Sequence, residues 1–124
     1  MSEPPLLVTI DPDDVLYRRL HASAVDGDRV TRAAFMTNGQ YDRELSVQLA
    51  KLVTSPEDCL RDRPLFGVGA ITVADVIDLG FAVVHDPLPG DPAHALVIGE
   101  NSKQMARALT RITTVLIPPG RADR

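Results

Sequence analysis

The chain has 124 residues, a formal net charge of −4, 44% hydrophobic and 24% charged residues, the composition of one globular domain able to bury its own core. The acidic balance argues against nonspecific nucleic-acid binding, which depends on Lys and Arg displacing counterions from phosphates, and no stretch approaches the roughly 20 apolar residues of a membrane-spanning helix. Cys59 is the only cysteine, so an intramolecular disulfide and a Cys-rich zinc site are excluded and a reducing cytoplasm is the expected compartment.

Aromatic residues are 4% of the chain and Trp is absent, so the core must be built from Leu, Val, Ile and Ala. Residues 1–5 and 119–124, rich in Pro, Gly and charge, read as flexible ends, and residues 6–118 as the domain. The first residues carry no basic segment followed by an apolar run, so no secretory signal is expected.

Residues 6–10 form a short apolar run, a candidate strand, and 11–14 (Asp-Pro-Asp-Asp) a turn or the start of a short helix. Residues 15–21 alternate as a strand, with Val15, Tyr17 and Arg19 on one side and Leu16, Arg18 and Leu20 on the other. Asp26-Gly27-Asp28 and Asn38-Gly39 are turn signals around a strand expected over 30–36. Residues 45–53 read as a strand with Leu45, Val47 and Leu49 facing one way.

Ser55 followed by Pro56, Glu57 and Asp58 has the chemistry of a helix start, cut short by Pro64. A strand is expected over 68–71. Thr72 then caps a helix over 73–79 that Gly80 ends. Residues 81–84 and 95–98 are unbroken apolar runs and read as buried strands of one sheet, joined by a Pro- and Asp-rich loop. Asn101 or Ser102 caps a last helix with Met105, Ala108, Leu109 and Ile112 on its apolar face, and 115–117 closes the fold as a strand. Strands first and helices mixed in later predict an α+β fold: a single compact domain with a mixed or antiparallel sheet of short strands and two to three helices.

The chemistry on offer has structural readings beside it. Gly67-Val68-Gly69 precedes the helix at 73–79, where a Gly-rich turn can cradle a phosphate. Thr72 stands where the dinucleotide fingerprint needs its third glycine, and no Walker Lys follows, so a plain turn is the simpler reading and no cofactor is expected. His85, Asp86, Asp91 and His94 share one loop and are weak candidates for a metal with N and O ligands. No zinc spacing accompanies them, Asp-Pro pairs make turns, and His94 can bond the loop backbone, so no metal is expected.

His21 ends a strand beside Arg18 and Arg19, a combination suited to acid–base chemistry on a phosphate, and it could pair with His94. The alternative makes both histidines structural. Ser46 lacks the flanking glycines of a nucleophile elbow, which favours a hydroxyl bonded within the sheet. Cys59 follows Glu57 and Asp58, acids that oppose thiolate formation, and reads as a half-buried structural thiol.

The residues Leu16-Tyr17-Arg18-Arg19-Leu20-His21, Ala34-Phe35, Leu45-Ser46-Val47 and the loop Asp86-Pro87-Leu88-Pro89 with Asp91-Pro92-Ala93-His94-Ala95 resemble a family of small uncharacterised bacterial proteins. The resemblance spans about residues 15–118 and implies a bacterial source and five positions worth testing: Arg18, His21, Phe35, Ser46 and His94. The early strand ending in a basic pair is also similar to ADP-ribosyltransferase-like toxins, but no Glu-centred NAD signature accompanies it.

Two function classes follow. One is a non-catalytic interaction or accessory protein of a multi-gene bacterial system, with an unidentified protein partner. It is favoured by small size, acidic charge and the absence of a recognised catalytic motif. The other is a small enzyme using His21, His94 and Arg18, with Ser46 a further candidate, on a phosphodiester or nucleotide. Whether His21 and His94 meet in space separates them.

Overall fold

In the computed structural model, which describes residues 7–120, the strand signals and turn chemistry assemble one antiparallel sheet. The chain enters through the Asp11–Asp14 turn into β1 (Val15–Leu20). Two small hairpins follow. β2 (Val25–Asp26) and β3 (Arg29–Val30) close over Gly27, and β4 (Met36–Thr37) and β5 (Gln40–Tyr41) over Asn38 and Gly39. Asn38 and Gly39 have φ of 52° and 79°, the two left-handed positions that a tight two-residue hairpin requires.

The remaining elements are β6 (Glu44–Leu49), β7 (Gly67–Thr72), α1 (Val73–Asp78), β8 (Ala82–His85), β9 (His94–Ile98), α2 (Lys103–Arg111) and β10 (Thr114–Ile117). Six strands lie in the order β10-β7-β1-β6-β9-β8, every neighbouring pair antiparallel. The fold is α+β, a single compact domain whose sheet is antiparallel throughout.

Alternation decides which face is buried. Leu16, Leu20, Leu45, Val47, Leu49, Ile71, Ala95 and Val97 pack in one cluster with Val73 and Val76 of α1 and Ala106 and Leu109 of α2, so both helices cover the same face. The opposite side chains of the central strands are Tyr17, Arg19, Ser46, Gln48 and His94. Both helices are capped as their sequences imply: Thr72 Oγ1 accepts from the Asp75 N–H (3.3 Å) and Ser102 Oγ from the Met105 N–H (3.2 Å). Asn101 instead ties α2 to the preceding chain, its Nδ2 donating to the carbonyls of Phe35 (3.1 Å) and Asp42 (2.9 Å).

Several expectations need correction. Residues 7–10 form no strand, and Leu6 and residues 1–5 and 121–124 lie outside the described residues. Pro119 and Gly120, expected in a flexible tail, follow β10 directly, and the Gly120 N–H donates to the Leu65 carbonyl (2.9 Å). The strand expected over 30–36 is instead a 3₁₀ turn, Arg32–Phe35. Ala34 and Phe35 are both buried, because the turn packs against α2 and places both side chains in the core cluster. Phe35 is thereby a core residue.

The strand expected over 45–53 stops at Leu49, and Ala50–Leu52 is a 3₁₀ turn. Continued alternation would turn Lys51 inward; it pairs with Asp14 instead, Nζ to Oδ2 2.7 Å. The helix expected after Ser55 is a short 3₁₀ segment, Pro56–Leu60, packed against β1, β7 and β10, and Ser55 makes no side-chain cap. Phe81 precedes β8, and β8 is the sheet edge, with Val84 45% exposed; in the 95–98 run Ala95 and Val97 are buried as expected and Leu96 and Ile98 are half-buried.

Gly67-Val68-Gly69 lies inside β7, between β1 and β10, and is no phosphate turn. A Cβ at Gly67 would collide with the Ile117 carbonyl and Pro119, and one at Gly69 would meet Thr113 Cγ2 at 2.8 Å. These glycines serve close strand packing.

Candidate functional site

The hairpin joining β8 to β9 sets the site. Leu88 and Asp91 exchange backbone hydrogen bonds (3.0 and 2.9 Å) across a turn in which Gly90 has φ of 76°. His85 pairs with Ala95, and the Asp86 N–H donates to the His94 carbonyl (2.9 Å), so Asp86 and His94 face one another at the hairpin base. His94 Nδ1 lies 2.9 Å from the Asp86 carbonyl oxygen and 3.1 Å from Asp86 Oδ2. Both are acceptors, so Nδ1 carries the proton and donates. Nε2, left with its lone pair, faces the hydroxyl of Ser46 at 3.1 Å.

Ser46 reaches His94 through sheet register. Gln48 pairs with His94 and Ser46 with Leu96, making Ser46 and His94 diagonal neighbours on one face. His94 is buried and Ser46 exposed. Ser46, His94 and Asp86 thus form a chain with the polarity of hydroxyl to imidazole to carboxylate, the arrangement in which a neutral histidine can take a serine proton. The Ser46 hydroxyl is thus bonded within the sheet, as expected, to a side chain of the neighbouring strand.

Arg18 holds the same strand from below. β1 and β6 are paired only at Leu16–Leu49 and Tyr17–Gln48; beyond these the strands part. The Arg18 guanidinium fills the gap, Nη1 donating to the Ser46 carbonyl (2.7 Å) and Nε and Nη2 to the Ala34 carbonyl (3.0 and 2.7 Å). Removal of this charge from water pushes the Arg18 pKa down, opposed in part by the field of Asp42.

The opening is a cleft of about 350 Å³ lined by Arg18, Arg19, His21, Thr37, Asn38 and Ser46 among others. On the other side of Ser46 a small cavity is lined by Tyr17, Arg19, Gln48, Asp91 and His94. Gln48 Nε2 donates to Asp91 Oδ1 (2.8 Å), while Gln48 Oε1 is buried with no partner among the described residues. Arg19 borders both spaces and pairs with Asp62, Nη1 to Oδ1 3.2 Å.

His21 and His94 are not brought into contact, which removes the enzyme reading built on that pair of histidines. The His21 ring bonds the Ser23 hydroxyl and sits edge-on to Phe66, centroids 6.1 Å apart, whereas His94 is held by Asp86 and Ser46. The loop residues weighed as metal ligands serve other partners. His85 Nδ1 accepts the Val8 N–H (3.2 Å), which leaves Nε2 to donate to the Pro92 carbonyl (2.8 Å). Asp91 holds Gln48, and Asp86 holds His94. Among the described residues no group of three His, Cys, Asp or Glu side chains is placed to hold a metal ion.

Cys59 is fully rather than half buried, and its thiol is pushed up to about 11, first by burial and then by the charges of Asp91 and Asp58 against that of Arg19. Sequence reasoning named Arg19 only as a neighbour of His21 and missed Tyr17 and Gln48 as site residues. Strand alternation puts Arg19 on the face of Tyr17 and Gln48 on that of Ser46, the one signal that could have found them. A scan of the chain against protein-family models finds no match, and searches of the curated proteins and of the solved structures also find none.

Proposed function

We propose that the protein is a small enzyme of the serine-nucleophile type, with Ser46 attacking, His94 exchanging the proton and Asp86 holding the imidazole. The carrying observation is the continuous alignment Ser46 Oγ–His94 Nε2 (3.1 Å) and His94 Nδ1–Asp86 Oδ2 (3.1 Å). Ser46 Oγ forms a bond to the electrophilic carbon of an ester as its proton passes to His94 Nε2. The same proton leaves with the departing alcohol, and water then hydrolyses the acyl-serine by the reverse transfer. Arg19, lining both spaces beside Ser46, offers positive charge to the developing oxyanion.

Incubation with a fluorophosphonate probe and with p-nitrophenyl acetate tests this. The wild-type chain should label at Ser46 and turn over the ester, and Ser46→Ala should do neither. Equal turnover by wild type and Ser46→Ala removes the reading.

A second reading, the interaction module, has its own support. β8 is an edge strand with Ala82 and Val84 exposed, a feature that partner strands use. The likeness to bacterial proteins and a lone buried thiol suit a bacterial cytoplasm under either reading. No helix among the described residues is long and apolar enough to cross a membrane.

A further inference from the structure

We propose that the cleft opened where β1 and β6 part is an anion subsite, and that it takes a phosphoryl group carried by the substrate. Its lining brings together two guanidinium groups (Arg18 and Arg19), the imidazole of His21, the amide of Asn38 and the hydroxyl of Ser46; no carboxylate lines it, and the nearby Asp42 carboxylate accepts from the Thr37 hydroxyl (2.8 Å). Such a concentration of donors in an acidic protein of net charge −4 is a local reversal of sign, and fixed guanidinium donors are the usual partners of phosphate oxygens.

Arg18 is the less compensated of the two guanidinium groups. Among the described residues no carboxylate lies within ion-pair distance of it. Its hydrogen bonds go to two carbonyls, Ala34 and Ser46, which orient the guanidinium without neutralising it. Its charge is partly withdrawn from water with no carboxylate in contact, only the field of Asp42 acting on it; such a charge is costly, and an anion in the cleft would lie in direct contact with it. The second cation is readily freed: Asp62, the partner of Arg19, is 73% exposed, and ion pairs of that kind contribute little. A phosphate can therefore displace Asp62 and sit between two arginines, beside the Ser46 hydroxyl.

The statement that the anion belongs to a substrate rests on the Ser46 reading; binding of the anion does not. Titration of inorganic phosphate into the full chain, followed by calorimetry at constant ionic strength, tests it, with acetate and chloride as competing anions. Saturable phosphate binding should be unchanged in the control Arg43→Gln, whose arginine is exposed beside Glu100 and does not line the cleft. It should weaken about ten-fold or more in Arg19→Gln and in His21→Gln, each checked for native circular dichroism, as expected for loss of a charge-assisted contact.

Phosphate binding no tighter than chloride overturns the proposal, as does binding indifferent to both Arg19→Gln and His21→Gln. Tighter binding of acetate than phosphate overturns the phosphoryl assignment. Phosphate binding that behaves as expected beside ester turnover indifferent to Ser46→Ala upholds the subsite and removes the serine mechanism alone.

Discussion

Ser46 Oγ and His94 Nε2 lie 3.1 Å apart although 48 residues separate them in the chain. The pairing of β6 with β9 makes them diagonal neighbours, and Asp86 presents only acceptors to the far nitrogen of the ring. Ser46→Ala should abolish ester turnover, and His94→Gln should lower it by roughly 10²–10⁴-fold, the usual span for an acid–base partner. His94→Ala should in addition cost about 1–3 kcal/mol in denaturant unfolding, because the side chain is buried and its loss leaves polar partners unsatisfied. A His94→Ala protein with native stability and unchanged turnover would contradict both roles.

Asp86 should matter less than His94. The backbone carbonyl of Asp86 accepts from the same Nδ1 as its carboxylate does, so the ring keeps its tautomer when the side chain is lost. Asp86→Ala should lower kcat by about ten-fold, less than a proton-transfer group, with KM little changed. The kcat–KM split in steady-state kinetics checks this, and a loss as large as that of His94→Gln would assign the carboxylate a greater part.

His85 gives the opposite pattern. Its two nitrogens tie Val8 to the carbonyl of Pro92, bracing the N-terminal segment against the loop before His94. His85→Ala should cost about 1–3 kcal/mol through the unsatisfied backbone groups, while fluorophosphonate labelling of the folded protein at Ser46 stays at the wild-type rate. Equilibrium unfolding and labelling kinetics on the same sample separate the two effects.

Neighbouring valines of paired strands should respond differently. Val97 is 1% exposed and Val84 is 45% exposed. Val97→Ala should therefore cost on the order of 1–3 kcal/mol as a core truncation, and Val84→Ala less than about 0.5 kcal/mol as a surface change. Urea unfolding of the two variants under one condition tests the edge position of β8.

Cys59 supplies a pH dependence. Burial raises its thiol from 9.0 to about 11 in the folded protein. A group whose folded pKa is raised contributes stability that is complete below its unfolded value and is lost as pH climbs to the folded one. The Cys59 contribution should then fall away between about pH 9 and 11, and Cys59→Ala should flatten that part of the stability profile. At pH 8 a disulfide reagent should modify the native thiol far more slowly than the urea-unfolded one.

Local chemistry written in the chain decided much of the architecture. Asn38-Gly39 determined a hairpin because two consecutive left-handed residues are cheap only for such pairs. Thr72 and Ser102 determined where the helices begin, and the alternation of Leu45, Val47 and Leu49 the buried face of β6. The candidate residues Arg18, Ser46 and His94 were visible as residue types, and Asp86 as a loop carboxylate.

What they touch was decided only by tertiary structure. Register between β6 and β9 brings Ser46 to His94, and the parting of β1 from β6 brings Arg18 to the Ser46 carbonyl. It also placed Ala34 and Phe35 in a 3₁₀ turn packed against α2, where both join the core. Turns and caps depend on interactions within a few residues, whereas strand register minimises the free energy of the whole sheet and its core, a sum over distant positions that no local stretch of sequence contains.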